Sequence, residues 1–161
     1  MANDQDSVKH DSVKARLKAD LTTSMKARDE VTTSTLRMVL SAVTNAEVAG
    51  DRAVALTDEQ AIGVLRSEAK KRVEAAEVYE QNGRVAAGAK ERAELAVIER
   101  YLPAAISDAE LSAIVEQAVA AARAARGEPA VGPVIKAVRE RAGGSADGGR
   151  IAALVKAALS Q

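Results

Sequence analysis

Apolar positions fall at helical spacing along nearly the whole chain. Val13, Leu17, Leu21 and Met25 recur every four residues, which lines them up on one face of a helix. That helix starts after Ser12, a good N-cap residue, and runs to Ala27 or Arg28. The polar step Arg28-Asp29-Glu30 separates it from a second apolar set, Val31, Leu36, Val39, Leu40 and Val43. Gly50 then stands where a left-handed residue commonly closes a helix. Thr57-Asp58-Glu59-Gln60 reads as a capping box, in which Thr57 accepts from the third amide and Gln60 reaches back. Ile62, Leu65, Ala69, Val73, Ala76 and Tyr79 form the inward stripe of a long third helix, stopped by Asn82-Gly83. Val85, Ala89, Ala93, Ala96 and the run Leu95–Ile98 continue as a fourth helix, with Gly88 weakening its first turn.

Pro103 is the clearest boundary, because the residue before a proline is pushed out of the helical region. Ser107-Asp108-Ala109-Glu110 forms a second capping box. A fifth helix follows, with Leu111, Ile114, Val115, Ala118 and Val119 inward and Gly127 and Pro129 at its end. Gly132-Pro133 opens a sixth helix with Val134, Ile135 and Val138 on its apolar face. Residues 143–149 hold four glycines in seven positions, and a seventh helix then carries Ile151, Leu154, Val155 and Leu159. No segment shows the period-two alternation of a strand. The pattern predicts an all-α protein: a disordered tail over 1–11, an N-terminal domain of about four helices over 12–102, and a small C-terminal three-helix domain over 103–161.

Composition supports the helices. The chain of 161 residues has two tyrosines and no Phe or Trp, so its core is built from Ala, Val, Leu and Ile. Alanine loses no side-chain entropy in a helix, which gives such segments strong helix propensity. The 23 basic and 23 acidic residues cancel, so no strong global attraction to nucleic acid or an anionic membrane is predicted. No apolar run approaches the roughly 20 residues of a membrane span. The amino-terminal stretch is polar and acidic, unlike a secretory signal, and a cytoplasmic location is the expectation.

Candidate chemistry is sparse. Without cysteine there is no thiolate nucleophile and no Cys-ligated metal. The single histidine, His10, lies in the expected tail, where nothing fixes it against a nucleophile. The residues therefore imply no catalytic group, no metal and no cofactor. Glu68, Glu74, Glu77 and Glu80 alternate with Lys70, Lys71 and Arg72 in the manner of a solvated helical face. Lys14, Lys18, Arg28 and Arg37 likewise read as a mixed surface. The glycine-rich loop lacks the Lys-Ser/Thr of a P-loop and follows no strand, so it reads first as a turn with Asp147 as N-cap of the last helix. A narrower reading joins it to Lys136, Arg139, Arg141 and Arg150 as a phosphate-binding face. Aromatic residues for base stacking are absent from that region.

Several stretches together resemble the YqeY-like family, whose C-terminal portion is related to the tail domain of the GatB subunit of glutamyl/aspartyl-tRNA amidotransferase. They are Leu36-Arg37-Met38-Val39-Leu40-Ser41-Ala42-Val43 with Asn45-Ala46-Glu47-Val48, then Tyr79-Glu80-Gln81-Asn82-Gly83-Arg84, Glu99-Arg100-Tyr101-Leu102-Pro103, and Gly144-Ser145-Ala146-Asp147-Gly148 ahead of Leu154-Val155. The resemblance covers roughly residues 12–160. It implies a helical N-terminal domain and a three-helix C-terminal domain of the kind that holds tRNA in the amidotransferase. It also carries the label of a carbon–nitrogen ligase with glutamine as amide donor. The family loop usually reads Gly-Lys/Arg-Ala-Asp-Gly-Lys; Ser145 and Gly149 replace its two basic positions here, and Arg150 follows one residue later.

The expected function is a non-catalytic accessory protein that binds tRNA, or an amidotransferase or other aminoacyl-tRNA-handling protein, through the C-terminal domain. The expected contacts are Lys136, Arg139, Arg141, Asp147, Gly148 and Arg150. Two alternatives stand beside it: a protein–protein adaptor with no RNA role, and a component of a carbon–nitrogen ligase active only within a complex. The sequence leaves the oligomeric state open.

Overall fold

The computed structural model describes residues 12–125, 129–143 and 145–160. The tail 1–11 with His10, and the glycines at 127 and 144, lie outside the described residues. The described residues form seven helices and no strand, as the apolar spacing predicts: α1 (Val13–Ala27), α2 (Glu30–Glu47), α3 (Asp58–Gln81), α4 (Val85–Glu99), α5 (Asp108–Ala124), α6 (Val131–Ala142) and α7 (Gly148–Leu159). No helix among the described residues is long and apolar enough to cross a membrane. The chain divides into two compact units, one ending at Tyr101 and the other beginning at Leu102.

In the first unit α2 packs on α1, α3 and α4. Leu17, Leu36, Val39, Val43, Leu65 and Ile98 are almost wholly buried. Both capping boxes expected from the sequence form in full, Thr57–Gln60 at α3 and Ser107–Glu110 at α5. The junction between α1 and α2 has no glycine, so Arg28 itself takes the left-handed conformation (φ 57°) and Asp29 caps α2 by accepting from the Thr32 amide.

Four expectations are corrected in this unit. Gly50 does not close α2: the helix stops at Glu47, whose carbonyl accepts from the Val54 amide at 2.9 Å as the following loop turns back. Met25 and Val31 are not core residues, being 50% and 40% exposed. Thr32 and Thr35 are buried in this region instead, and their hydroxyls are satisfied by the Asp29 carboxylate (2.7 Å) and the Val31 carbonyl (2.8 Å). Once bonded, a hydroxyl no longer opposes burial. The inward stripe of α4 is Gly88, Glu94, Val97 and Ile98; Val85 is 71% exposed and Ala93 and Ala96 face out. Glu68 and Arg72 do not belong to a solvated face but are buried between α3 and α4.

The second unit holds a core of its own. Leu111, Val115 and Val119 of α5, Val134 and Val138 of α6, and Ile151 and Val155 of α7 pack together. α6 begins at Val131, one residue before Gly132-Pro133, so Pro133 sits in the first turn, where its missing amide removes no helical bond.

Candidate nucleic-acid interface

The face of α6 opposite its core is set by helix phase. Val134, Val138 and Ala142 are buried, and Lys136, Arg139, Glu140 and Arg141 are exposed. Residues three apart are neighbours on a helix surface, so Lys136 and Arg139 share one side. Arg141 stands two residues beyond Arg139, about 200° around the axis, and so does not join them. Lys136, Arg139 and Arg141 form no ion pair among the described residues. Arg139 and Arg141 lie in the last turn, where the helix dipole favours cations.

The turn to α7 is tightly tied. Gly143 closes α6 with φ 55°, and its amide donates to the Arg139 carbonyl at 3.1 Å. The Ser145 amide donates to the Ala142 carbonyl at 2.9 Å, and Ala146 is buried. Asp147 caps α7 as expected: one carboxylate oxygen accepts from the amides of Gly149 (2.9 Å) and Arg150 (3.2 Å). Those are the amides an incoming anion would need. The start of α7 is therefore self-capped, with a carboxylate already where a phosphate would sit. Gly148 has a different importance. A Cβ there would lie 3.3 Å from Arg139 Nη2, so the bare backbone lets the guanidinium lie across the first turn of α7.

Arg150 departs from the expected set. Its side chain turns to the segment leading into α5, where Nη1 donates to the Ile106 carbonyl at 3.3 Å and Nη2 to the Asp108 carboxylate. The Ile106 amide donates in turn to the Ser145 carbonyl at 3.1 Å. The structure thus sets Lys136 beside Arg139 on α6 and Arg139 against Gly148, leaves Asp147 as a cap, separates Arg141 from Arg139 by helix phase, and commits Arg150 to a neighbouring segment.

A buried polar cluster in the first unit escapes pattern reading. Arg72 of α3 donates to Glu68 (3.0 Å) one turn earlier and to Glu94 of α4 (3.2 Å). Lys71 adds a rim contact to Glu68 at 2.7 Å, and Arg72 Nη2 also lies 3.6 Å from the Met38 sulfur. The sequence does carry a signal for this cluster. Leu65, Glu68, Ala69, Arg72 and Ala76 run at spacings of three and four, which is the inward phase of the helix. Elsewhere in this unit Lys14 pairs with Glu47 at 2.5 Å. The Tyr101 hydroxyl donates to Asp20, and the Arg16 guanidinium lies 5.5 Å from the ring centre. Burial, followed by the Asp20 contact, raises the phenol above its usual range. Among the described residues no three His, Cys, Asp or Glu side chains converge as a metal would require. Three ion pairs of this unit join different helices: Lys14–Glu47, Arg72–Glu94 and Arg92–Glu80.

A family model described as Yqey-like protein matches residues 14–159. No curated protein matches the chain.

Proposed function

The chain belongs to the Yqey-like protein family, and from that premise we propose that it is a cytoplasmic, non-catalytic accessory protein that binds tRNA through the three-helix unit α5–α7. Lys136 and Arg139 meet backbone phosphates, Gly148 leaves room for the Arg139 guanidinium over the first turn of α7, and Asp147 holds that helix end in shape. One observation carries this reading: two cations on the same side of α6 pair with no carboxylate among the described residues. Arg72, Arg92 and Arg150, by contrast, each bind an acidic side chain. Cations that pair with no carboxylate can engage a polyanion without breaking an ion pair. With no aromatic platform beside them, the recognition is of backbone charge rather than of base identity.

Ultraviolet crosslinking of the full chain to bulk tRNA, with crosslinked peptides identified by mass spectrometry, tests this. Crosslinks concentrated in α6 and the first turn of α7 are expected. Crosslinks confined to α1–α4, or none at low salt, would remove the RNA reading.

A further inference from the structure

Arg150 is the one expected phosphate contact that the fold has already engaged, and the group engaging it is unusual. Asp108 is the first residue of α5, and the capping of that helix is completed by Ser107 and Glu110 without it. Its side chain is 92% exposed, and its bond is to Arg150 Nη2. Only one carboxylate oxygen is used, so the planar fork of the guanidinium is left unfilled. Nη1 donates separately to the Ile106 carbonyl at 3.3 Å, a contact that does not involve Asp108. Asp108 therefore neutralises a cation at the start of α7 without being needed to cap a helix or to fill a core.

We infer that Asp108 is an internal competitor for phosphate at Arg150, and that it sets how many phosphates the α6–α7 face can engage. The inference rests on the reading of that face as a phosphate-binding surface. A phosphate dianion or diester offers more acceptor oxygens than the single one Asp108 supplies, and bidentate geometry suits guanidinium best. An exposed ion pair holds its partner weakly, so the competition is open to a polyanion already anchored by Lys136 and Arg139. Salt weakens the phosphate contact more than it weakens a tethered intramolecular pair. Arg150 is thus recruited only under conditions where the first two contacts are firm.

The test is a salt series of tRNA binding to the full chain by fluorescence anisotropy, comparing wild type, Asp108→Asn, Asp108→Asn with Arg150→Gln, Arg150→Gln alone, and Glu116→Gln. Glu116 is an exposed acid on α5, and its change alters net charge equally without touching Arg150. With Arg150 present, Asp108→Asn is expected to steepen the plot of log affinity against log salt by about 0.9, the contribution of one further phosphate. In the Arg150→Gln background the same change is expected to leave the slope where it was, and Glu116→Gln in the wild type is expected to do the same. An Asp108→Asn effect equal in both backgrounds, equal to that of Glu116→Gln, or absent would overturn the inference while tRNA binding itself stands. Loss of tRNA binding in every form, wild type included, would bring down the phosphate-face reading and this inference with it.

Discussion

Arg72 Nε lies 3.2 Å from Glu94 Oε2, a contact between α3 and α4 in which both side chains are almost fully enclosed. The same guanidinium binds Glu68, so one cation balances two buried carboxylates. Removing it leaves both acids without their main partner in a poorly solvated place. Arg72→Leu is expected to cost about 3 kcal/mol. Urea denaturation followed by circular dichroism would measure it, and a loss below about 1 kcal/mol would mean that Lys71 or water compensates.

Two helical glycines are expected to respond oppositely to alanine. Gly63 of α3 is exposed, and a Cβ added there would meet nothing within 4 Å, so Gly63→Ala should stabilise by up to about 1 kcal/mol through helix propensity. Gly88 of α4 is buried, and a Cβ there would meet Glu80 Cγ at 2.9 Å and the Ala76 carbonyl at 3.4 Å. The clash is with Glu80 Cγ, and the Glu80 carboxylate is held by Arg92 (3.1 and 3.0 Å), so Gly88→Ala should displace that side chain, strain the pair between α3 and α4 and lose about 1–2 kcal/mol despite the same propensity gain. Thermal melts of the two variants check both signs at once.

These responses separate what is legible in the sequence from what is hidden there. Caps are legible because they are local: Ser12, Thr57, Ser107 and Asp147 all accept from amides two or three residues on, as their positions before apolar runs require. The number and order of helices follow from apolar spacing for the same reason. Burial of Glu68, Arg72 and Glu94 is hard to read because residue type argues for solvent, against the inward phase that Glu68 and Arg72 share with Leu65, Ala69 and Ala76, and the partner helix decides between the two. The role of Gly88 is hidden likewise, since a packing contact with Glu80 and Ala76 leaves no trace in its own neighbourhood of the chain. In the second unit, spacing alone pairs Lys136 with Arg139. Grouping Arg141 with them ignores helix phase, and Arg150 is diverted by Ile106 and Asp108, 44 and 42 residues away.

Arg28 gives a further prediction. It is the only non-glycine residue with positive φ among the described residues (57°), at the close of α1. A side chain in that region costs on the order of 1 kcal/mol that glycine avoids. Arg28→Gly is therefore expected to raise the melting temperature by a few degrees. An unchanged or lower value would show that the arginine side chain contributes packing that outweighs the strain.

Stability should respond at both ends of the pH range. Thr32 holds Asp29, Lys14 holds Glu47, Arg92 holds Glu80 and Ser107 holds Glu110 below the usual carboxylate range. Their contribution is present above the unfolded values, near pH about 4, and is lost as pH falls through the lower folded values. Burial and Asp20 raise Tyr101, so its contribution is complete below pH about 10 and fades as pH rises past that point toward the folded value. Tyr101→Phe should flatten the alkaline limb and leave the acid limb unchanged in a plot of denaturation midpoint against pH. An alkaline limb identical in the variant would assign that loss to other groups.

The accessory, tRNA-binding role depends on two cations, so the most direct measurement is tRNA affinity against salt for wild type and for Lys136→Ala combined with Arg139→Ala. The wild type is expected to bind at low salt, and the double variant to show a slope shallower by about 1.8, two phosphate contacts' worth. Equal slopes for the two proteins, or no binding by either at low salt, would contradict it.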